Sequence, residues 1–290
     1  WVGDALDVRI VREVNSRLFS VGLEQEWDVG LAGTAVVRSV ADLERALDRL
    51  PANTDEWVVK AAFGMSGREK LLGRGNRPSD ELRNWLAKRL ARDGAAVFEP
   101  WVERVAEVGL QVTVPQTGEP VLEGLTPMQV DASGTYRGSR ITCDPETEAN
   151  WSDAIDIGLR AAVRIRDVGY FGPLGIDAVR YRDREGAICL RSLQDINARC
   201  TMGRLGLGLR RLLQPGEVAT WLHVNRKPAE VDAPRDEWGS WFANNLPADT
   251  RFIRTSPLRV GNRDVEHVTV LVIGRSAESL SEVESSLTHD

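Results

Sequence analysis

Two stretches in the middle of the chain most restrict what it can fold into. Residues 172–181 read "GPLGIDAVRY" and residues 187–199 read "AICLRSLQDINAR", with the polar stretch "RDREG" between them. Apolar side chains recurring at every second position match the two-residue period of a strand, and a polar turn between two such runs predicts an antiparallel hairpin. Asp177 stands between Ile176 and Ala178, while Asp195, Asn197 and Arg199 alternate with Ile196 and Ala198. A turn near 183–186 brings the two strands side by side, so Asp177 and Asp195 can share one polar face with Asn197 and Arg199, opposite an apolar one. Periodicity alone reads that polar face equally well as a site or as a solvated surface.

The rest of the chain mixes helical and strand patterns. Residues 5–28 read as helical. "VADLERALDRL" (40–50) has an apolar stripe of Val40, Leu43, Ala46, Leu47 and Leu50, with Ser39 as N-cap and Pro51 as its stop. "EWVVKAAF" (56–63) predicts a strand and 79–93 a helix capped by Ser79 and stopped by Gly94. "AAVFEPWV" (95–102) predicts another strand, and "EVGLQVTVPQ" and "PVLEGLTPMQV" a pair of antiparallel strands. One long helix is expected over 147–167 and another over 203–213. Beyond that the pattern is less regular, apart from a strand over 266–274 and a last helix over 276–287. The class is therefore α+β, or mixed α/β.

Composition excludes several functions. The 290 residues carry a formal charge of -6 and no basic run, so neither nucleic acid nor an acidic membrane surface is expected as a main partner. No apolar stretch approaches the roughly 20 residues of a membrane span. Cys143, Cys189 and Cys200 lack metal-ligand or CxxC spacing and read as reduced thiols of a cytoplasmic protein. His223, His267 and His289 are scattered, which argues against a histidine metal site or a Ser–His triad. Of 37 basic residues only Lys60, Lys70, Lys88 and Lys227 are lysines, so a lysine inside a strand is informative.

Three further segments are candidates for chemistry. Asp177, Asp195 and the amide oxygen of Asn197 form a hard oxygen set suited to Mg²⁺, and the planar fork of Arg199 suits a carboxylate or phosphate. Lys60 follows Val58 and Val59 and precedes a loop with Gly64 and Gly67. Glycines let backbone N–H groups approach phosphate oxygens and the lysine supplies charge, although a plain glycine turn beside a surface lysine has the same pattern. "VFEPWVERVAEVG" (97–109) runs an apolar strand into an acid, a proline and a tryptophan, with Glu99, Glu103 and Glu107 at four-residue spacing. Such a connection can offer backbone groups to adenine and a carboxylate to ribose, or can be a strand entering a charged helical turn. Arg137 and Arg140 in "TYRGSR" are additional anion candidates, set against a solvated loop.

In this order, the segments "WVVKAAFGMSGR", "VFEPWVERVAEVG", "GPLGIDAV" and "LQDINARCTMG" resemble the ATP-grasp superfamily over residues 55–210. The resemblance implies an ATP-grasp fold, two α+β lobes with the nucleotide between them, and an ATP- and Mg²⁺-dependent ligase that joins a carboxylic acid to an amine or thiol through an acyl phosphate. By it Lys60 contacts phosphate; Gly64, Ser66 and Gly67 belong to a flexible loop; and Glu99, Pro100, Trp101 and Val102 form the adenine hinge. Glu107 reaches ribose; Asp177, Asp195 and Asn197 hold Mg²⁺; and Arg199 grips the acyl phosphate or the carboxylate. Expected divisions are a mainly helical segment over 1–50, a small lobe over 51–105, a large lobe over 106–215 and an extension of unassigned role over 216–290. The chain begins Trp-Val-Gly, without Met, and only residues 1–50 precede the lysine region, so the family's N-terminal Rossmann-like lobe is expected to be missing or reduced. Two positions depart from the family pattern: Asp195 replaces the usual Glu, and Gly175 stands where some members carry Arg. Small-molecule carboxylate and amine substrates are implied, the oligomeric state is left open, and a non-catalytic ATP-binding module or scaffold domain is the alternative.

Overall fold

The computed structural model describes residues 6–50, 55–64, 69–131, 134–141, 145–225, 246–261, 263–265 and 267–288. The chain divides into two compact units: residues 1–125 with 150–201, and residues 126–149 with 202–290.

The first unit opens with helices α1 (Val8–Val14) and α2 (Arg17–Trp27), where one helix was expected. The break has a local cause. Asn15 ends α1, and the Ser16 hydroxyl accepts from the Leu18 N–H, starting a new N-cap. Next come β1 (Ala35–Val37), α3 (Val40–Asp48), β2 (Glu56–Ala61), β3 (Lys70–Arg74), α4 (Asp80–Asp93) and β4 (Ala96–Pro100). The four strands form an antiparallel sheet in the order β1-β4-β2-β3. Ser39 and Ser79 cap α3 and α4 through the N–H groups of Asp42 and Leu82, and Gly94 ends α4 at φ +77°.

Alternation on this sheet sorts its side chains. Trp57, Val59, Ala96 and Phe98 pack with Leu43, Leu47, Leu82 and Leu86 of α3 and α4. Val58, Lys60, Val97 and Glu99 therefore take the opposite face. On β3, Gly73 lies under the Trp57 indole, and a Cβ there would collide with the ring.

The larger sheet of this unit contains β5 (Glu103–Val114), β8 (Gly172–Arg182) and β9 (Ile188–Asn197), paired antiparallel, and the first half of β6 (Val121–Val130). The region after the Pro-Trp pair is thus a strand, not a helical turn. Helix α6 (Ser152–Asp167) covers one face, packing Ala154, Ala161 and Ile165 against Leu110, Val112, Leu174, Ile176 and Ile196. It is separated at Trp151 from the short α5 (Pro145–Asn150), so the single helix expected over 147–167 is two.

The second unit holds the end of β6, β7 (Tyr136–Ile141), α7 (Met202–Gly208), β10 (Val218–Asn225), β11 (Arg251–Arg254), the short pair β12 (Arg259–Val260) and β13 (Arg263–Asp264), β14 (His267–Gly274) and α8 (Ala277–Thr288). Strands run in the order β7-β10-β14-β11. Leu280 and Val283 of α8 pack on Leu222, Val268, Val270 and Val272. "TYRGSR" is a paired strand and not a solvated loop. The Arg140 guanidinium donates to both oxygens of Glu284 at 2.6–3.1 Å and to Ser281, tying β7 to α8. Among the described residues, no helix is long and apolar enough to cross a membrane.

Replacing Gly73 by Ala forces the Trp57 ring out of its packed position, and overpacking of this kind costs about 1–3 kcal/mol. Urea denaturation of Gly73→Ala should show a lower midpoint at unchanged slope; an unchanged midpoint would refute the packing assigned to Trp57.

Candidate active site

The hairpin places its acids in direct opposition. Gly175 faces Asn197 and Asp177 faces Asp195 across β8 and β9. On the other side of β8, Asp177 faces Gly109 and Val179 faces Glu107. Ile196 and Ala198 are buried in the core, so Asp177, Asp195 and Asn197 share the face that α6 does not cover. The Asn197 Nδ2 donates to Asp177 Oδ2 at 3.2 Å, and its Oδ1 accepts from Arg199 at 2.5 Å. Thr201 donates to Gln111 at 2.6 Å and sits over Gly175, where any side chain would strike its methyl group. The absence of an arginine at position 175 is therefore built into the packing.

This face is crowded with negative charge. Burial, followed by the charges of Asp195 and Glu107, pushes the Asp177 carboxyl up to about 8, against the opposing pull of Arg199 and Asn197. Among the described residues no three His, Cys, Asp or Glu side chains cluster closely enough to hold a metal by themselves. What the face offers is two carboxylates and one amide. That set fits Mg²⁺, which takes one or two carboxylates and completes its shell with water and phosphate oxygens. Presenting an oxygen beside Asp177 requires the Asn197 amide to turn over, because its nitrogen faces that carboxyl.

A second cluster lies beside the small sheet. Lys60 and Glu99 are both buried, and the Lys60 Nζ donates to Glu99 Oε2 at 2.6 Å. Arg191 donates to the other oxygen, Glu99 Oε1, at 3.0 Å. The same guanidinium reaches both oxygens of Glu24 on α2 at 2.6 and 2.7 Å, and Gln194 Oε1 at 2.7 Å. The result is a neutral buried chain, Lys60–Glu99–Arg191–Glu24. Burial lowers the Lys60 ammonium, with Glu99 opposing. Burial also pushes Glu99 upward, but Arg191 and Lys60 outweigh it and hold that carboxyl below the usual range.

The remaining expected residues take the following places. Pro100 closes β4. The Trp101 N–H donates to the Glu56 carbonyl at 3.0 Å, and its ring lies between Arg104 at 4.9 Å and Lys70 at 5.7 Å. Pro100, Trp101, Val102 and Arg104 line a narrow cleft whose other walls include Leu31, Val58, Glu99, Val179, Tyr181, Arg191 and Gln194. Glu107 is buried and paired with Arg104 at 2.8 Å. The two share a face because β5 bulges at Val105, which shifts the alternation by one residue. Gly64 is exposed just beyond β2; Ser66 and Gly67 lie outside the described residues. Arg199 is exposed at the end of the hairpin.

Sequence reading missed Arg17, Glu24, Arg104 and Arg191. Arg17 donates to the Ala61 carbonyl at 2.8 Å and reaches Asp195 at 3.4 Å, linking the end of β2 to the acidic face. One signal was present: Glu24 falls on the same helical stripe as Ser20, Val21 and Leu23, and an acid there needs a buried partner.

Asp177 makes stability depend on pH. With its folded value raised to about 8 above an unfolded value near 3.9, its contribution is complete below about pH 4 and lost as pH rises through 8. Asp177→Asn should therefore melt close to wild type at pH 4 and above it at pH 8 without added metal. Parallel melting curves for the two proteins across this window would contradict the crowding described.

No family model matches the chain. The [butirosin acyl-carrier protein]–L-glutamate ligase of Niallia circulans is 26% identical over 198 residues, which are 68% of this chain and 46% of that protein. The chain thus spans less than half the length of this curated relative. Among solved structures, the N5-carboxyaminoimidazole ribonucleotide synthetase of Thermus thermophilus superposes with a TM-score of 0.60 at 18% identity, covering 98% of this chain and 75% of the other. The Staphylococcus aureus N5-carboxyaminoimidazole synthetase, solved with ADP, gives 0.61 at 13% identity over 96% and 72%. The biotin carboxylase domain of the Hydrogenobacter thermophilus 2-oxoglutarate carboxylase, solved with MgADP, gives 0.59 at 13% over 92% and 63%. These superpositions show that the chain has the ATP-grasp fold.

Proposed function

We propose that this protein is an ATP-dependent, ADP-forming ligase that joins a carboxylic acid to an amine, or a thiol, through an acyl phosphate. The observation that carries this reading is the opposition of Asp177 and Asp195 on one open hairpin face, with Asn197 and Arg199 beside them. The fold and the ligase relative support it.

In this reading ATP and Mg²⁺ bind in the first unit. Asp177, Asp195 and Asn197 would hold Mg²⁺, which would supply neutralising charge for the phosphates. The Lys60 ammonium has three N–H donors, of which Glu99 takes one, leaving donors for a phosphate oxygen. Gly64, with Ser66 and Gly67, offers backbone N–H groups to the same phosphates. Both Glu99 oxygens are engaged, so recognition of the base falls to backbone groups at Pro100 and Val102 beside the Trp101 ring. Glu107, steadied by Arg104, faces the ribose. Arg199, exposed at the mouth, aligns the carboxylate substrate and then the acyl phosphate.

The chemistry balances without a protein nucleophile. A substrate carboxylate oxygen attacks the γ-phosphorus, the bond to the ADP oxygen breaks, and an acyl phosphate forms. The amine nitrogen then attacks the acyl carbon, phosphate leaves, and the surplus amine proton passes to solvent. Both steps need alignment and charge stabilisation, which the lysine, the arginine and the carboxylate-held cation provide. The substrates are a small carboxylic acid and a small amine, in a protein of the cytoplasm.

Hydroxylamine trapping with ATP and Mg²⁺ across a panel of carboxylic acids should yield a hydroxamate for the true substrate and release ADP in step. Lys60→Ala and Asp177→Asn should each lower that release about 10²–10³-fold. ATP binding without hydroxamate from any acid would favour a non-catalytic nucleotide module, and ADP release unchanged by both substitutions would refute the site.

A further inference from the structure

Arg191 takes no direct part in the proposed chemistry, yet it is 2% exposed and is the most heavily bonded side chain in the site. Its position is made by the hairpin. β9 carries two extra residues between Asp195 and Arg191, so Asp177 faces Asp195 while Val179 faces Arg191. A two-residue shift preserves the face, and Arg191 therefore points to the same side as the acids but one step along, toward Glu99.

We propose that Arg191 is a positioning residue for the nucleotide polyphosphate, acting by competing with Lys60 for the charge of Glu99. This rests on the reading in which Lys60 contacts phosphate. Glu99 divides its two oxygens between the two cations: Oε2 to Lys60 at 2.6 Å and Oε1 to Arg191 at 3.0 Å. The fork of Arg191 is itself anchored by both oxygens of Glu24. A carboxylate shared in this way holds the lysine in place without satisfying it. If Arg191 is removed, the full charge of Glu99 falls on Lys60 in a buried setting, and a buried two-member pair holds its ammonium away from an incoming phosphate. Arg191 thus keeps Lys60 oriented but available, and Glu24 makes Arg191 tolerable in a buried position by matching its charge.

Single loss of Arg191 leaves two buried carboxylates against one ammonium and threatens folding. The test therefore uses the charge-balanced double variant Arg191→Met with Glu24→Gln, which keeps the Lys60–Glu99 pair intact, made both in the wild-type chain and in a charge-balanced background carrying Lys60→Met with Glu99→Gln. Calorimetric titration with a non-hydrolysable ATP analogue, and separately with adenosine, reads binding without turnover. The double variant should bind the ATP analogue at least tenfold more weakly than wild type, with a smaller loss for adenosine, whose cleft Arg191 also lines, and it should add less than a twofold further loss of analogue affinity in the background lacking Lys60 and Glu99. Equal losses for adenosine and the analogue, or no loss for either, would overturn the positioning role, as would the full tenfold loss in the background lacking Lys60 and Glu99. If the double variant does not fold, Arg191→Lys carries the same test, because lysine cannot serve Glu24 and Glu99 together. A wild-type protein that binds neither ligand refutes the nucleotide site itself, which separates failure of that reading from failure of this one.

Discussion

The buried ion chain through Arg191 is the interaction on which the site depends. It joins three parts of the chain that are remote in sequence: Glu24 on the second helix, Glu99 at the end of β4 and Arg191 before the bulge of β9. Ionised groups out of water are costly unless paired on every side, and removing one member of such a set typically costs about 3–5 kcal/mol. This chain meets that condition by alternating sign, with two cations and two anions. Its geometry specifies how the strand that carries Asp195 lies against the strand that precedes the Pro100–Val102 cleft.

Beside this neutral chain lies a region of the opposite character. Asp177, Asp195 and Glu107 bring three acids near one another, and their nearby arginines are committed elsewhere as well: Arg104 stacks on Trp101, Arg17 holds the Ala61 carbonyl, and Arg199 holds the Asn197 amide. Burial first, and the charges of Asp195 and Glu107 after it, raise the Asp177 carboxyl. One side of the site is electrostatically closed, while on the other a buried acid keeps its proton near neutral pH.

Much of the fold was legible in local pattern. The caps at Ser39 and Ser79, the stop at Gly94 and the hairpin over 172–199 follow from side-chain chemistry within a few residues, and each stands where expected. The break at Asn15–Ser16 escaped notice because the apolar spacing continues through it, and only the hydroxyl cap marks the change. Strand β7 escaped because "TYRGSR" is polar in composition. It is a strand because β6 and β10 supply its hydrogen bonds and Glu284 neutralises Arg140, none of which is local.

The same division holds for the site. Sequence alone indicated that Asp177, Asp195 and Asn197 belong to one hairpin face, since strand periodicity fixes which side chains alternate with the buried ones, but the two extra residues of β9 that set Asp177 opposite Asp195 came only with the tertiary structure. Sequence also marked Lys60 as a lysine in an apolar strand beside glycines. Only the tertiary structure decided that Glu99 is occupied on both oxygens, that Thr201 fills the space above Gly175, and that Arg17 and Glu24 reach the site from a helix far earlier in the chain. The reason is physical: periodicity reports which way a side chain points, whereas a buried charge is resolved by whichever partner the packing brings within about 3 Å, and that partner has no fixed distance along the chain.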